Sequence, residues 1–252
     1  IGTTAAAASS LPSFSIGQSG NTSKINVAVV GIGGMGGYAV SEAAGENLVA
    51  LCDVDEERGG GAFKKHPDVP RFKDFRVMLD KMGDDIDAVA ISTPDHTHFA
   101  PAMDAMERGK HVFIQKPLAH NIWQCRTLQK AAEKYGVVTQ MGNQGHTFDG
   151  MLRIKEWVDA GVIGDVTEVI TWTNRPNPPW FIPPETFPPA RQEVPKTLDW
   201  DLWQGPVSDK AFNKSYAPIR WRGWWDYGCG ALGDIGCHTF DAPFWVLGLG
   251  MP

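Results

Sequence analysis

Apolar residues in this chain come in short continuous runs, not in alternation with polar ones. Val27 to Val30, Leu48 to Cys52, Asp87 to Ser92, His111 to Gln115 and Val137 to Met141 are each four to six residues long, with helix-length segments between them. Strands covered on both faces need such runs. Their alternation with helices predicts an α/β domain over residues 24–145, a parallel sheet with helices on both sides. One of those helices, Asn121 to Tyr135, has Gly136 as its C-cap.

A second unit is expected over 146–252. It opens with a helix from Phe148 to Ala160, stopped at Gly161, and continues as a strand from Val166 to Thr173. The composition then shifts: eight prolines fall between Pro176 and Pro195, and six of the ten tryptophans between Trp180 and Trp225. Proline supplies no N–H to a ladder, so 175–225 is expected to be a long irregular loop. Its indole rings either stack on sugar faces or pack the loop onto the body.

The charge balance excludes some functions. Across 252 residues the net charge is −6, and the Lys and Arg residues are scattered, which argues against a nucleic-acid surface. No apolar stretch approaches the roughly 18 to 20 residues of a membrane span. Cys52, Cys125, Cys229 and Cys237 lack zinc-ligand spacing and read as buried thiols, although Cys229 and Cys237 could meet in an oxidising compartment. His96-x-His98 has no neighbouring ligand pattern, so no metal is expected.

Residues 1–23 are small and polar, with no charge before Lys24. They read as a leader, the tail of an export signal, or as a disordered extension; the first implies a periplasmic or exported protein and the second a cytoplasmic one. The chain starts at Ile1 without an initiator Met and stops at Met251-Pro252, so it is expected to be a piece of a longer protein.

Candidate chemistry gathers at the carboxyl ends of the predicted strands. After the first strand comes Gly31-x-Gly33-x-x-Gly36, followed by an Ala-rich helix, and the next strand ends on Asp53, 22 positions after Gly31. Gly31 permits the tight turn, Gly33 lets the backbone approach a pyrophosphate, and Gly36 lets the helix sit close to the sheet. The carboxylate falls where a ribose hydroxyl acceptor belongs, so this unit reads as a dinucleotide-binding turn. Lys116-Pro117 closes a later strand beside the same crevice, and its proline could be cis. Asp234 and His238 stand four apart, which on a helix puts the carboxylate beside the imidazole. Pro243 is expected to delay the regular helix until about Thr239, leaving both on an irregular entry turn.

Together, Gly31-Ile-Gly-Gly-Met-Gly36, Asp53, Ser92-Thr-Pro-Asp-His-Thr-His98, Lys116-Pro117 and Asp234-xxx-His238 with Asp241 resemble the glucose-fructose oxidoreductase, inositol dehydrogenase and MocA (Gfo/Idh/MocA) superfamily, from Lys24 to about Leu249. The resemblance implies a Rossmann doubly wound parallel sheet followed by a second α/β domain with an open sheet, which these residues would contain only in truncated form. It implies bound NAD. Asp53 disfavours a 2′-phosphate, while Arg58 leaves NADP possible.

It further implies that Lys116, Asp234 and His238 form the catalytic group. His238 would take the hydroxyl proton, Asp234 would position His238, and Lys116 would hydrogen-bond the reacting oxygen or relay its proton. Gly31, Ile32, Gly33, Gly34, Met35, Gly36, Asp53, Thr93, Pro94, His98, Gln115, Lys116 and Asn143 are expected at the cofactor. His146, Trp221 and Arg222 would join the catalytic group at the substrate. Two departures stand out: Gln115 replaces the glutamate common before Lys-Pro, and the stretch between Lys116 and Asp234 is longer than usual.

The expected activity is hydride transfer between a secondary hydroxyl of a sugar or polyol and a nicotinamide cofactor, by a homo-oligomer when full length. The alternatives are a redox-neutral NAD-dependent glycosidase or epimerase on the same scaffold, and a non-catalytic sugar-binding module.

Overall fold

The computed structural model describes residues 23–250. The leader expectation, but for its last residue, lies outside the described residues. Six strands form one sheet: β1 (Asn26–Val30), β2 (Asn47–Cys52), β3 (Arg71–Phe72), β4 (Ala88–Ile91), β5 (His111–Gln115) and β6 (Thr139–Gly142). Every pairing is parallel and the spatial order is β3-β2-β1-β4-β5-β6. Five helices cross between them: α1 (Gly36–Ala43), α2 (Gly60–Lys65), α3 (Phe75–Met82), α4 (Phe99–Glu107) and α5 (Ile122–Tyr135). The chain reverses its direction of travel across the sheet between β1 and β4. A crevice therefore opens at their carboxyl ends, where such folds bind ligands.

The continuous apolar runs reflect two separate cores. Ala28, Val30, Ala50, Cys52, Val89 and Ile91 pack on one face of the sheet with Met78, Leu79 and Met106. Val27, Val29, Leu51 and Ala90 pack on the other with Val40 and Phe63. Adjacent residues of one strand serve opposite faces, so the central positions of β1, β2 and β4 are all apolar. Truncating a fully buried residue such as Ile91 to Ala costs about 2–5 kcal/mol.

Helix ends follow local chemistry. Asn121 caps α5, its Oδ1 accepting the Gln124 N–H at 2.9 Å, and Gly136 stops it in the left-handed region at φ 64°. No side chain caps α1; its first amides, those of Gly36, Gly37 and Tyr38, donate instead to the Gly33, Gly34 and Met35 carbonyls.

The remainder contributes α6 (Asp149–Asp159), α7 (Trp200–Gln204), α8 (Gly230–Thr239) and α9 (Asp241–Val246). The strand expected from Val166 to Thr173 does not form. Among the described residues it meets no partner strand, and Ile170 and Trp172 stand exposed; an extended segment without a neighbour has nowhere to direct ladder hydrogen bonds. Two-residue β3 went unpredicted because it is too short to show a pattern.

The Trp- and Pro-rich segment builds a third core. Leu198, Trp200, Trp203, Phe212, Tyr216, Trp221 and Tyr227 are buried together, with Trp200 and Trp203 stacked at 4.9 Å. The loop is tied to the sheet through Asp199 N–H donating to the Val54 carbonyl and Glu56 N–H donating to that of Thr197. Most of its indoles are therefore packing groups. Trp225 is exposed, and Trp180 lines a cavity.

The break near Pro243 falls after His238, not before Asp234. Both residues lie within regular α8, and the chain restarts at Asp241 with Pro243 in the first turn of α9, where its missing N–H has no helical partner to lose. Cys229 and Cys237 are free thiols. They stand eight positions apart along α8 and its N-cap, about 12 Å of rise, beyond the reach of a disulfide.

Candidate active site

One cavity of about 690 Å³ runs from the glycine turn to α8. Gly31 sits at φ 77°, and a Cβ there would meet the Ser92 carbonyl and Thr93 N at 2.8 Å; at Gly36 it would meet the Gly31 oxygen at 1.8 Å. Only glycine lets the turn after β1, the loop after β4 and the start of α1 converge. Asp53 Oδ2 accepts the Ile32 and Gly33 N–H groups at 3.0 and 3.3 Å, and its Oδ1 accepts that of Asp55. Burial raises its pKa, against the pull of these amides. The space a side chain at Gly33 would take holds Arg58, whose guanidinium lies beside Gly34.

A dinucleotide fits this end. Gly31 and Gly36 admit no side chain, and Ser92 Oγ and Thr93 Oγ1 are buried in the wall without a hydrogen-bond partner among the described residues.

At the other end Lys116 leaves β5 through a cis bond to Pro117. Its Nζ donates to Asp234 Oδ1 at 2.7 Å and to the Asp234 carbonyl at 2.8 Å. Arg222 Nε also donates to Oδ1 at 3.4 Å, and Arg175 Nη1 stands 3.8 Å from Oδ2. Burial disfavours the Asp234 carboxylate, but Lys116 first and then the two arginines overcome it and hold its pKa low. The expected Asp234–His238 pairing is thus replaced: the carboxylate turns to Lys116, and no hydrogen bond joins it to the imidazole.

His238 lines the same cavity. Burial, then the Lys116 charge, lower its pKa; the Gln144 carbonyl and the Asp234 and Asp241 carboxylates pull less strongly the other way. The ring is therefore neutral at pH 7 and able to accept a proton.

Gly31, Gly33, Met35, Asp53, Thr93, Pro94, Gln115 and Lys116 line the cavity, as do Trp221, Arg222, Asp234 and His238. Ile32 and Gly36 are buried beneath it. Three expected residues serve elsewhere. His98 is buried, its ring nitrogens 2.8 Å from the Pro117 and Thr93 carbonyls, and it pins two loops together. His146 pairs with Asp241 at 2.9 Å and packs on Trp245. Asn143 donates to the Cys237 carbonyl at 2.8 Å. Each sits near a strand end, as expected: backbone carbonyls take the His98 ring and Asp241 takes the His146 ring, while Asn143 Oδ1 stays buried without a hydrogen-bond partner among the described residues. His96 is likewise held between the Tyr227 and Trp203 carbonyls.

Arg175 and Trp180 went unpredicted. They come from the Pro-rich loop, where no periodicity marks a residue that will face inward.

Residues 25–143 match the family model described as oxidoreductase family, NAD-binding Rossmann fold, and residues 152–250 match that family's C-terminal alpha/beta domain. The chain belongs to this Gfo/Idh/MocA family of NAD-binding oxidoreductases. It is similar to inositol 2-dehydrogenase 1 of Saccharopolyspora erythraea, 35% identical over 56% of this chain and 43% of that protein. It is also similar to a 2,7-anhydro-N-acetylneuraminate hydratase of Mediterraneibacter gnavus, 28% identical over 56% and 37%. Among solved structures, apo scyllo-inositol dehydrogenase from Lactobacillus casei matches with a TM-score of 0.51 and 30% identity, covering 57% of this chain and 44% of that one. The chain thus spans less than half the length of these relatives.

Proposed function

We propose that the full-length protein transfers a hydride between a secondary hydroxyl of a sugar or polyol and NAD. The observation that carries this reading is one cavity joining the glycine turn to Lys116, Asp234 and His238. The bound nicotinamide supplies the hydride acceptor. Neutral His238 takes the hydroxyl proton. Lys116, fixed by Asp234, donates a hydrogen bond to the reacting oxygen as it becomes a carbonyl. The similarity to an inositol dehydrogenase supports a polyol or sugar substrate.

Full-length protein should bind NAD(H) saturably, and a panel of sugars and polyols should include one whose oxidation raises NADH absorbance. Absence of nicotinamide binding would sink the reading.

A second reading, transient oxidation with no net NADH, draws support from the hydratase relative. Product analysis beside absorbance separates the two: product without NADH favours the redox-neutral enzyme. Export of the full-length protein belongs to the same proposal, and cell fractionation tests it.

A further inference from the structure

The substrate end of the cavity holds more positive than negative charge. Lys116, Arg175 and Arg222 converge on the single Asp234 carboxylate. Asp95 also lines the wall and lies within reach of Arg222, but it is buried, its Oδ2 accepts the Cys229 N–H, and its pKa is raised by burial. Asp74, further along, is already bound to Arg76. Buried cations ordinarily come with matching anions, because an unpaired charge away from water is costly.

Arg175 is the least satisfied of the three. Its Nη1 is buried with no hydrogen-bond partner among the described residues, and its contact with Asp234 is an ion pair at 3.8 Å. Both guanidinium groups are braced over the Trp180 ring, Arg175 at 4.9 Å and Arg222 at 5.0 Å, and Arg222 also stands 4.2 Å from the Trp221 ring. Stacking on indoles fixes the plane of a guanidinium and aims its N–H fork. Two forks held in place beside a shared carboxylate, with donors to spare, form a receptor for an anionic oxygen pair.

Resting on the reading of this cavity as a carbohydrate site, we propose that its substrate is an acidic carbohydrate, whose carboxylate or phosphate is received by Arg175 and Arg222. The placement suits the chemistry. An anchored anion orients the sugar, so that one hydroxyl meets Lys116 and His238.

The test is a binding titration of full-length protein, followed by tryptophan fluorescence and calorimetry, with and without saturating NAD. The probes are matched sets: glucose, glucuronate and glucose 6-phosphate; galactose, galacturonate and galactose 6-phosphate; and the methyl ester of N-acetylneuraminate beside N-acetylneuraminate. At least one acid should bind about tenfold or more tighter than its neutral counterpart, weakening as salt rises. Arg175→Gln should erase that preference while leaving NAD affinity unchanged. The uronate and phosphate arms identify the anion. Equal or weaker binding of every acid, or competition between the acids and NAD, would overturn the proposal. Failure of NAD binding would instead count against the oxidoreductase reading, because the titration without cofactor still reports on the acid.

Discussion

Asp234 reaches across the cavity to Lys116, with Nζ 2.7 Å from Oδ1, and leaves His238, one turn along the same helix, without a carboxylate partner. The pair joins β5 to α8 over 118 residues of sequence. It sets both the direction of the ammonium and the proton affinity of the imidazole beside it.

Removing one member of this pair should cost more than removing both. Asp234→Ala leaves Lys116, Arg175 and Arg222 facing one another, and about 3 kcal/mol of stability should be lost. The Lys116→Met/Asp234→Ala double variant should recover part of that loss. Thermal denaturation of the single and double variants measures the coupling. Turnover should fall about 10²–10⁴-fold in Lys116→Met.

The acid limb of kcat/KM should lie below the ordinary histidine value, because neutral His238 is the active form and burial and Lys116 both depress its pKa. Protonation of the unfolded chain then precedes that of the folded one on acidification, so this residue's contribution to stability falls as pH drops through that window. An NMR titration of the His238 ring should show its pKa rising in Lys116→Met. An unchanged value would mean that the ammonium does not act on the ring.

His96 should be an acid-sensitive joint. Burial lowers its pKa from 6.5 to about 4, even though two carbonyls favour its charged form. A neutral ring donates to only one of the Tyr227 and Trp203 carbonyls. Between pH 6.5 and 4 the unfolded chain binds the proton first, and stability on the order of 3 kcal/mol should be lost. Urea unfolding across that range, wild type against His96→Gln, should show a steeper pH dependence in the wild type.

Gly31→Ala should remove NAD binding and destabilise the protein by about 1–3 kcal/mol, since φ 77° and the 2.8 Å approach of Ser92 admit no Cβ. Asp53→Ala, which leaves the Ile32 and Gly33 amides without their acceptor, should weaken NAD more than NADP. Equilibrium titration of both nucleotides checks the two variants.

Two tryptophans in the same loop should behave oppositely. Trp200→Ala opens the third core and should cost about 3–5 kcal/mol. Trp225→Ala, at 92% exposure, should change stability by no more than about 0.5 kcal/mol. Chemical denaturation of each variant decides.

Features set by near neighbours were legible before any coordinates. The glycine turn, the five longer strands and the Gly136 stop each depend on backbone sterics or apolar coverage within a few residues. Pro243 suggests a helix that starts only past His238, yet proline merely forbids a bond to Thr239, and α8 is complete before it. The strand at Val166–Thr173 had the right composition, but a strand requires a neighbour and composition does not supply one.

The site divides along the same line. Strand-end position and four-residue spacing single out Lys116, Asp234 and His238 as candidates, and the family resemblance joins them into one group. Which of them Asp234 would bind could not, because both options satisfy the carboxylate and the choice turns on how β5 approaches α8. His98 and His146 sat at strand ends like true ligands of a cofactor, until the Pro117 carbonyl and Asp241 took their nitrogens. Arg175 lines the cavity through tertiary contacts with Asp234 and the Trp180 ring, which no local pattern announces. Local sterics act through bonds and are written in consecutive residues, whereas partner choice between buried charges is settled by distances of a few ångströms across chain separations of 100 residues and more.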